Sequence, residues 1–153
     1  MNTPVDPELR PTDRLAGRKV LVVGAGTATH GVPDAPIGNG RATAILAARA
    51  GATVVCADRD REAATATASL IEEEGGVTHV VVADVSDPEA CEAMVTEANE
   101  RAEGLDGLVL NVGIGAGVWL SGTTVEDWDR VFDVNLRAHF VACRTAMPLL
   151  ADD

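Results

Sequence analysis

Residues 20–26 read VLVVGAG, and residues 37–58 read IGNGRATAILAARAGATVVCAD. Val20 to Val23 is a short, wholly apolar run that stops at Gly24. A run of that kind suits a strand buried on both faces, as in a parallel sheet. Arg41 to Ala50 reads as a helix closed by Gly51, and Thr53 to Ala57 as a second strand closed by Asp58. Glycine between the first strand and the first helix lets the chain turn sharply and lets a pyrophosphate approach the backbone. The helix start adds unpaired N–H groups and the positive end of a dipole. Asp58 follows Gly40 by 18 residues, near the spacing of about 20 expected of an acid that binds a ribose.

The rhythm continues outward from this unit. Glu62 to Glu74 is a predicted helix stopped by Gly75 and Gly76, and Val77 to Ala83 a third strand closed by Asp84. Ser86 with Glu89 forms a predicted capping box for a helix running to about Ala102. Leu108 to Leu110 is a fourth strand closed by Asn111, followed by a glycine-rich loop from Gly113 to Gly122. A second capping box, Thr123 with Glu126, opens a long helix reaching about Leu149. Its Trp128, Val131, Phe132, Leu136, Phe140 and Cys143 recur at helical spacing and predict a buried stripe that includes Asn135. Alternating strands and helices imply an α/β fold with a doubly wound parallel sheet, Rossmann-like, its four strands in the order 3-2-1-4. Residues 1–16 are Pro-rich and polar and are expected to form a flexible arm; residues 17–153 form the domain.

Composition narrows the function. Acidic residues number 24 against 12 basic ones, a formal charge of −12. Such a surface repels phosphate backbones and anionic lipids, so neither nucleic acid nor membrane is an expected partner. The N-terminal MNTPVDPELRPTDRLAG lacks the apolar core of a signal peptide, and no apolar run is long enough to span a bilayer, so a cytoplasmic setting is expected. Cys56, Cys91 and Cys143 show no metal-ligand spacing and read as buried, reduced thiols.

GAG followed by IGNGRATAILAARAGATVV resembles the opening of the short-chain dehydrogenase/reductase family, whose pattern is TGxxxGxG before an Arg-Ala helix. Gly24, Gly38 and Gly40 match its three glycines, with Gly26 and Asn39 beside them. Val23 stands where the family carries threonine, and Thr27 to Pro36 (TATHGVPDAP) is an insertion of about ten residues inside the motif. That insertion, which includes His30, leaves three outcomes open: it folds away, covers the cofactor, or spoils the cradle.

The resemblance implies a nicotinamide cofactor. Asp58 would accept hydrogen bonds from the adenosine ribose and repel a 2′-phosphate, which favours NAD; Arg59 leaves NADP as the alternative. Asp84-Val85 resembles the family's pair beside the adenine, and Leu110-Asn111-Val112-Gly113 its NNAG element. By the same resemblance, Asn111 would brace the sheet and Gly113 would let the chain pass the ribose. WDRVFDVNLRAHF (residues 128–140) resembles the family's fourth helix, so Asn135 would carry the catalytic role of holding a water in a proton relay. The family's alcohol/carbonyl chemistry needs a Tyr-x-x-x-Lys pair and a serine beyond this helix. The chain has no tyrosine, its lysine is Lys19, and its serines are Ser69, Ser86 and Ser121. It therefore reads as the cofactor-binding part of such an oxidoreductase, truncated before the fifth strand, inactive alone and marginally stable. A non-catalytic dinucleotide module and an assembly remnant, pairing copies through residues 124–149, are the alternatives.

Overall fold

The computed structural model describes residues 13–28 and 36–150. Four parallel strands form its sheet: β1 (Lys19–Val23), β2 (Thr53–Asp58), β3 (Thr78–Val82) and β4 (Gly107–Leu110). Their order is β3-β2-β1-β4, as the alternation of strands and helices implies. Helices α1 (Asn39–Arg49) and α2 (Arg61–Glu73) cover one face. The other face carries α3 (Pro88–Arg101), and then, after the short α4 (Trp119–Gly122) and α5 (Val125–Phe132), α6 (Ala138–Ala146).

The apolar run of β1 explains this arrangement. Successive side chains on a strand point to opposite faces. Val20 and Val22 pack with Val54, Cys56, Ala44 and Ile45 under α1 and α2. Leu21 and Val23 pack with Val55, Ala57, Met94 and Val95 under α3. A strand that feeds two cores has no polar side, so alternation vanishes from its sequence. Both strand ends that precede the first two helices point the same way, and the loops after β1, β2, β3 and β4 gather along one edge of the sheet. That edge holds the site.

Several local expectations shift. Asp13–Leu15, placed within the arm, is a 3-10 turn whose Leu15 N–H donates to the Ala50 carbonyl at 2.8 Å; the rest of the arm, 1–12, lies outside the described residues. The N-cap of α3 is Asp87, which accepts from the Glu89 N–H, rather than Ser86. Pro88 accounts for the change: it lacks an N–H and has a preset φ, so it occupies the first helical position and the preceding residue becomes the cap. Ser86 instead donates to Asp84. The capping box of α5 is Thr124 with Asp127, one residue after the expected pair, because Thr123 donates its hydroxyl to the Trp119 carbonyl.

The long helix departs most. It is broken into α5 and α6 by a π-helical turn, Asp133–Arg137. Its expected buried stripe is exposed: Trp128 is 56% accessible, Phe132 41%, Leu136 60% and Phe140 60%. The buried side is Val134, Ala138, Val141, Ala142 and Ala146, small residues that let α6 approach Cys91, Met94, Val95 and Ala98 of the sheet-covering layer. Cys143 is likewise exposed, whereas Cys56 and Cys91 are buried and burial pushes both thiols up.

Candidate functional site

A cleft of about 610 Å³ opens where the four strand ends meet the start of α1. That volume lies within the range of roughly 300–1,000 Å³ usual for cofactor sites. Gly24, Gly26, Gly38, Asn39 and Gly40 form its floor. Asp58 and Arg59 come from the end of β2, Asp84 and Val85 from the segment after β3, and Asn111, Val112 and Gly113 from the segment after β4. All the residues assigned to cofactor binding from sequence thus face one space.

The floor is held by close backbone contact. Gly24 has φ +80, and a side chain at Gly40 would place its Cβ 1.8 Å from the Gly24 carbonyl oxygen and 2.7 Å from Asn111 Nδ2. Asn111 donates to that same carbonyl at 3.2 Å, which ties the end of β4 to the turn after β1. Among the described residues no side chain caps α1, whose N-cap is Gly38, and its first turn, with Asn39 and Gly40, borders the cleft.

The insertion does not separate the two halves of the motif. The Gly38 N–H donates to Thr27 Oγ1 at 3.1 Å, tying the two ends of the extra segment together. Gly26 and Gly38 consequently line one floor despite their separation in sequence. Residues 29–35, including His30, lie outside the described residues.

Asp58 stands at the mouth of this floor. One carboxylate oxygen accepts from the Gly26 N–H at 2.9 Å and the other from the Asp60 N–H at 3.1 Å. An ionised carboxylate offers about four acceptor positions, so capacity remains for two further donors. Asp84 is held below the ordinary carboxylate range, first by the Ser86 N–H at 3.0 Å and next by the Ser86 hydroxyl at 2.8 Å. Desolvation works against this, and Arg59 and Arg130 add lesser contributions in favour of the charged form.

Asn135 does not line the cleft. Its Oδ1 accepts from the Ile114 N–H at 2.8 Å and its Nδ2 donates to the Ile114 carbonyl at 2.9 Å. Both ends of the amide are thereby engaged, and the π-helical turn presents it to the β4 loop. Ile114 and Gly113 do border the cleft, so Asn135 positions its wall. At Gly113 the nearest atom to an added Cβ is Asn135 Oδ1 at 3.6 Å, an ordinary contact. The protein itself therefore leaves room for a side chain there.

Three contributors escaped the sequence. Thr67, fully buried on α2, donates to the Ala25 carbonyl at 2.8 Å and accepts from Arg41 Nε at 2.9 Å, bracing the turn after β1 from beneath. Ala63 is small because Gly26 passes over it; a Cβ at Gly26 would lie 2.7 Å from that of Ala63. Arg130 of α5 reaches the cleft from a helix read as a packing element. A threonine within an alanine-rich helix was the one signal available for Thr67. Lys19 Nζ donates to the Glu103 carbonyl at the opposite end of β1 and takes no part in the cleft.

Comparison with known proteins follows the same geometry. Residues 19–153 match the model of the short chain dehydrogenase family. The chain is 39% identical over 120 residues to a 3beta-hydroxysteroid dehydrogenase of Mediterraneibacter gnavus, covering 78% of this chain and 44% of that protein. A short chain dehydrogenase from Mycobacterium smegmatis superposes with a TM-score of 0.82 at 33% identity, over 92% of this chain and 55% of that one. A short chain dehydrogenase from Burkholderia cenocepacia, solved in complex with NADP, gives 0.79 at 33% identity over 91% and 53%. The chain spans about half the length, or less, of these relatives. In sequence and in fold, this chain belongs to the short-chain dehydrogenase family.

Proposed function

We propose that the cleft binds a nicotinamide dinucleotide, with NAD preferred over NADP, and that the chain is the cofactor-binding part of an oxidoreductase interconverting an alcohol and a carbonyl. The observation that supports this best is the Asp58 carboxylate, anchored on the Gly26 N–H at the mouth of the glycine floor with acceptor positions to spare. Those positions suit the two hydroxyls of the adenosine ribose, and a carboxylate there repels a 2′-phosphate. Gly24, Gly38, Asn39, Gly40 and the first turn of α1 suit the pyrophosphate. Asp84 and Val85 suit the adenine, and Asn111, Val112 and Gly113 the far side of the adenosine. A dinucleotide held there would supply or accept the hydride, and the chain's own residues bind and orient it. Asn135 acts as a positioning residue for the wall at Ile114. With no tyrosine in its sequence and its lysine at the far end of β1, the chain by itself turns over no alcohol. Fluorescence titration with NADH and NADPH tests the reading: saturable binding that favours NADH supports it, and no binding of either sinks it.

A second reading concerns assembly. Trp128 and Phe132 stack with ring centroids 4.5 Å apart on the outer side of α5, and Leu136 and Phe140 extend that apolar face. We propose that two copies pair through it, since contiguous exposed apolar surface of this kind marks association sites. No described helix is long and apolar enough to cross a membrane. The free thiols Cys56 and Cys91 fit the cytoplasmic setting that is part of the proposal.

A further inference from the structure

Arg59, after β2, and Arg130, on α5, each border both the main cleft and a second cavity of about 480 Å³ beside it. Among the described residues neither guanidinium makes a hydrogen bond or an ion pair. The contrast with their neighbours is sharp. Arg49 is paired with Glu74, Arg101 with Glu97, Arg137 with Asp133 and Arg144 with Glu92. Arg130 even has Glu126 four residues earlier on its own helix, a spacing that favours pairing, and forgoes it. Asp133, three residues later, is held by Arg137 at 2.5 Å.

The second cavity decides what such a cation could meet. Its other walls are Asp84, Ser86, Glu126, Asp129, Asp133 and Val134. Four carboxylates against two guanidiniums make it a poor receptor for a phosphate. A neutral, flat, aromatic ring bearing an amine donor fits it better. A guanidinium is planar and weakly hydrated and stacks flat on such rings, whereas an ammonium is a compact, strongly hydrated point charge that covers less of the ring.

We propose that Arg130 is a specificity-determining residue that clamps the adenine base, its guanidinium closing over the ring where the two cavities meet. The inference rests on the dinucleotide reading above and deepens it. Asp84, which borders both cavities together with the two arginines, then accepts from the exocyclic amine. Arg130 thereby makes α5 part of the cofactor site, on the helix whose outer face carries Trp128 and Phe132.

The test titrates the purified chain with NADH and with ADP-ribose, which keeps the adenosine and lacks the nicotinamide. Arg130→Ala and Arg130→Lys should each weaken both ligands about tenfold, with the melting temperature unchanged. Arg101→Ala, on the surface of α3, should leave both affinities within twofold. Wild-type affinity in Arg130→Lys would show that charge alone matters and would overturn the clamp. So would affinity within twofold in Arg130→Ala. A wild-type chain that binds neither ligand would remove the dinucleotide reading itself, and the clamp with it; binding by the wild type and equally by Arg130→Ala removes the clamp alone.

Discussion

The Gly26 amide donates to the carboxylate of Asp58 at 2.9 Å, across 32 residues of sequence. One side chain thus fixes the turn after β1 and stands at the mouth of the space that turn encloses. Asp58→Asn keeps the volume, yet it removes the charge, halves the acceptor capacity and turns an NH2 toward either the Gly26 or the Asp60 N–H. NADH affinity should fall at least tenfold while NADPH affinity falls less, so the ratio of the two dissociation constants moves toward NADPH. Parallel fluorescence titrations measure it.

Gly40 tests the floor without any ligand. Its absent side chain is all that permits the approach of α1 to the Gly24 carbonyl. Gly40→Ala should cost about 1–3 kcal/mol, the usual range for overpacking. At roughly 2–4 °C per kcal/mol for a chain of this size, thermal melting detects it readily. Gly115→Ala, where an added Cβ meets nothing within 4 Å, should leave the melting temperature almost unchanged.

Asn135 was read from sequence as part of a buried apolar stripe, and what holds it is more specific. Its amide pairs with both polar groups of the Ile114 backbone. Asn135→Ala leaves those groups without their partner and should destabilise the chain by about 1–3 kcal/mol. Asn135→Asp should cost at least as much, because a carboxylate facing the Ile114 carbonyl repels it. Denaturant unfolding with tryptophan fluorescence reads both.

How much was legible in the sequence follows from where each signal sits. Val20–Val23 announced a doubly buried strand because every one of its side chains enters a core. Asp58, Asp84 and Asn111 were legible because each sits at or just beyond a strand end, where side chains gather at the sheet edge. The orientation of α5 and α6 was not. Its large apolar residues point outward and its inward face is mostly alanine, so a pattern weighted by residue size selects the wrong side. The π-helical turn shifts the register as well, and no residue type announces such a turn. Thr67 depends on partners, and Arg130 on a cleft, that only folding brings near, so spacing along the chain is silent about them.

Asp84 makes the acid side of the stability curve informative. Its folded carboxyl titrates below its unfolded value of about 3.9, with the Ser86 N–H as the main cause. The unfolded chain therefore takes up the proton first as pH falls. The stabilisation is present above about pH 4 and is lost as pH drops through the folded value. Asp84→Asn should flatten this part of the curve. Melting temperatures of the two proteins between about pH 3 and 6 should converge toward the acid end. A gap that widens toward low pH would contradict the sign.

The outer face of α5 carries its own test. Phe132→Glu places a charge in the exposed apolar stripe beside Trp128 without touching the sheet. Light scattering should show a pair in the parent chain and a monomer in the variant, with unchanged circular dichroism. A monomeric parent would remove the pairing.

The most direct measurement is a crystal structure of the chain soaked with NADH. The account predicts the adenosine ribose hydroxyls within hydrogen-bond distance of Asp58 and the pyrophosphate over Gly38 and Gly40 at the first turn of α1. Density for the dinucleotide elsewhere, or a ribose turned away from the Asp58 carboxylate, would contradict it.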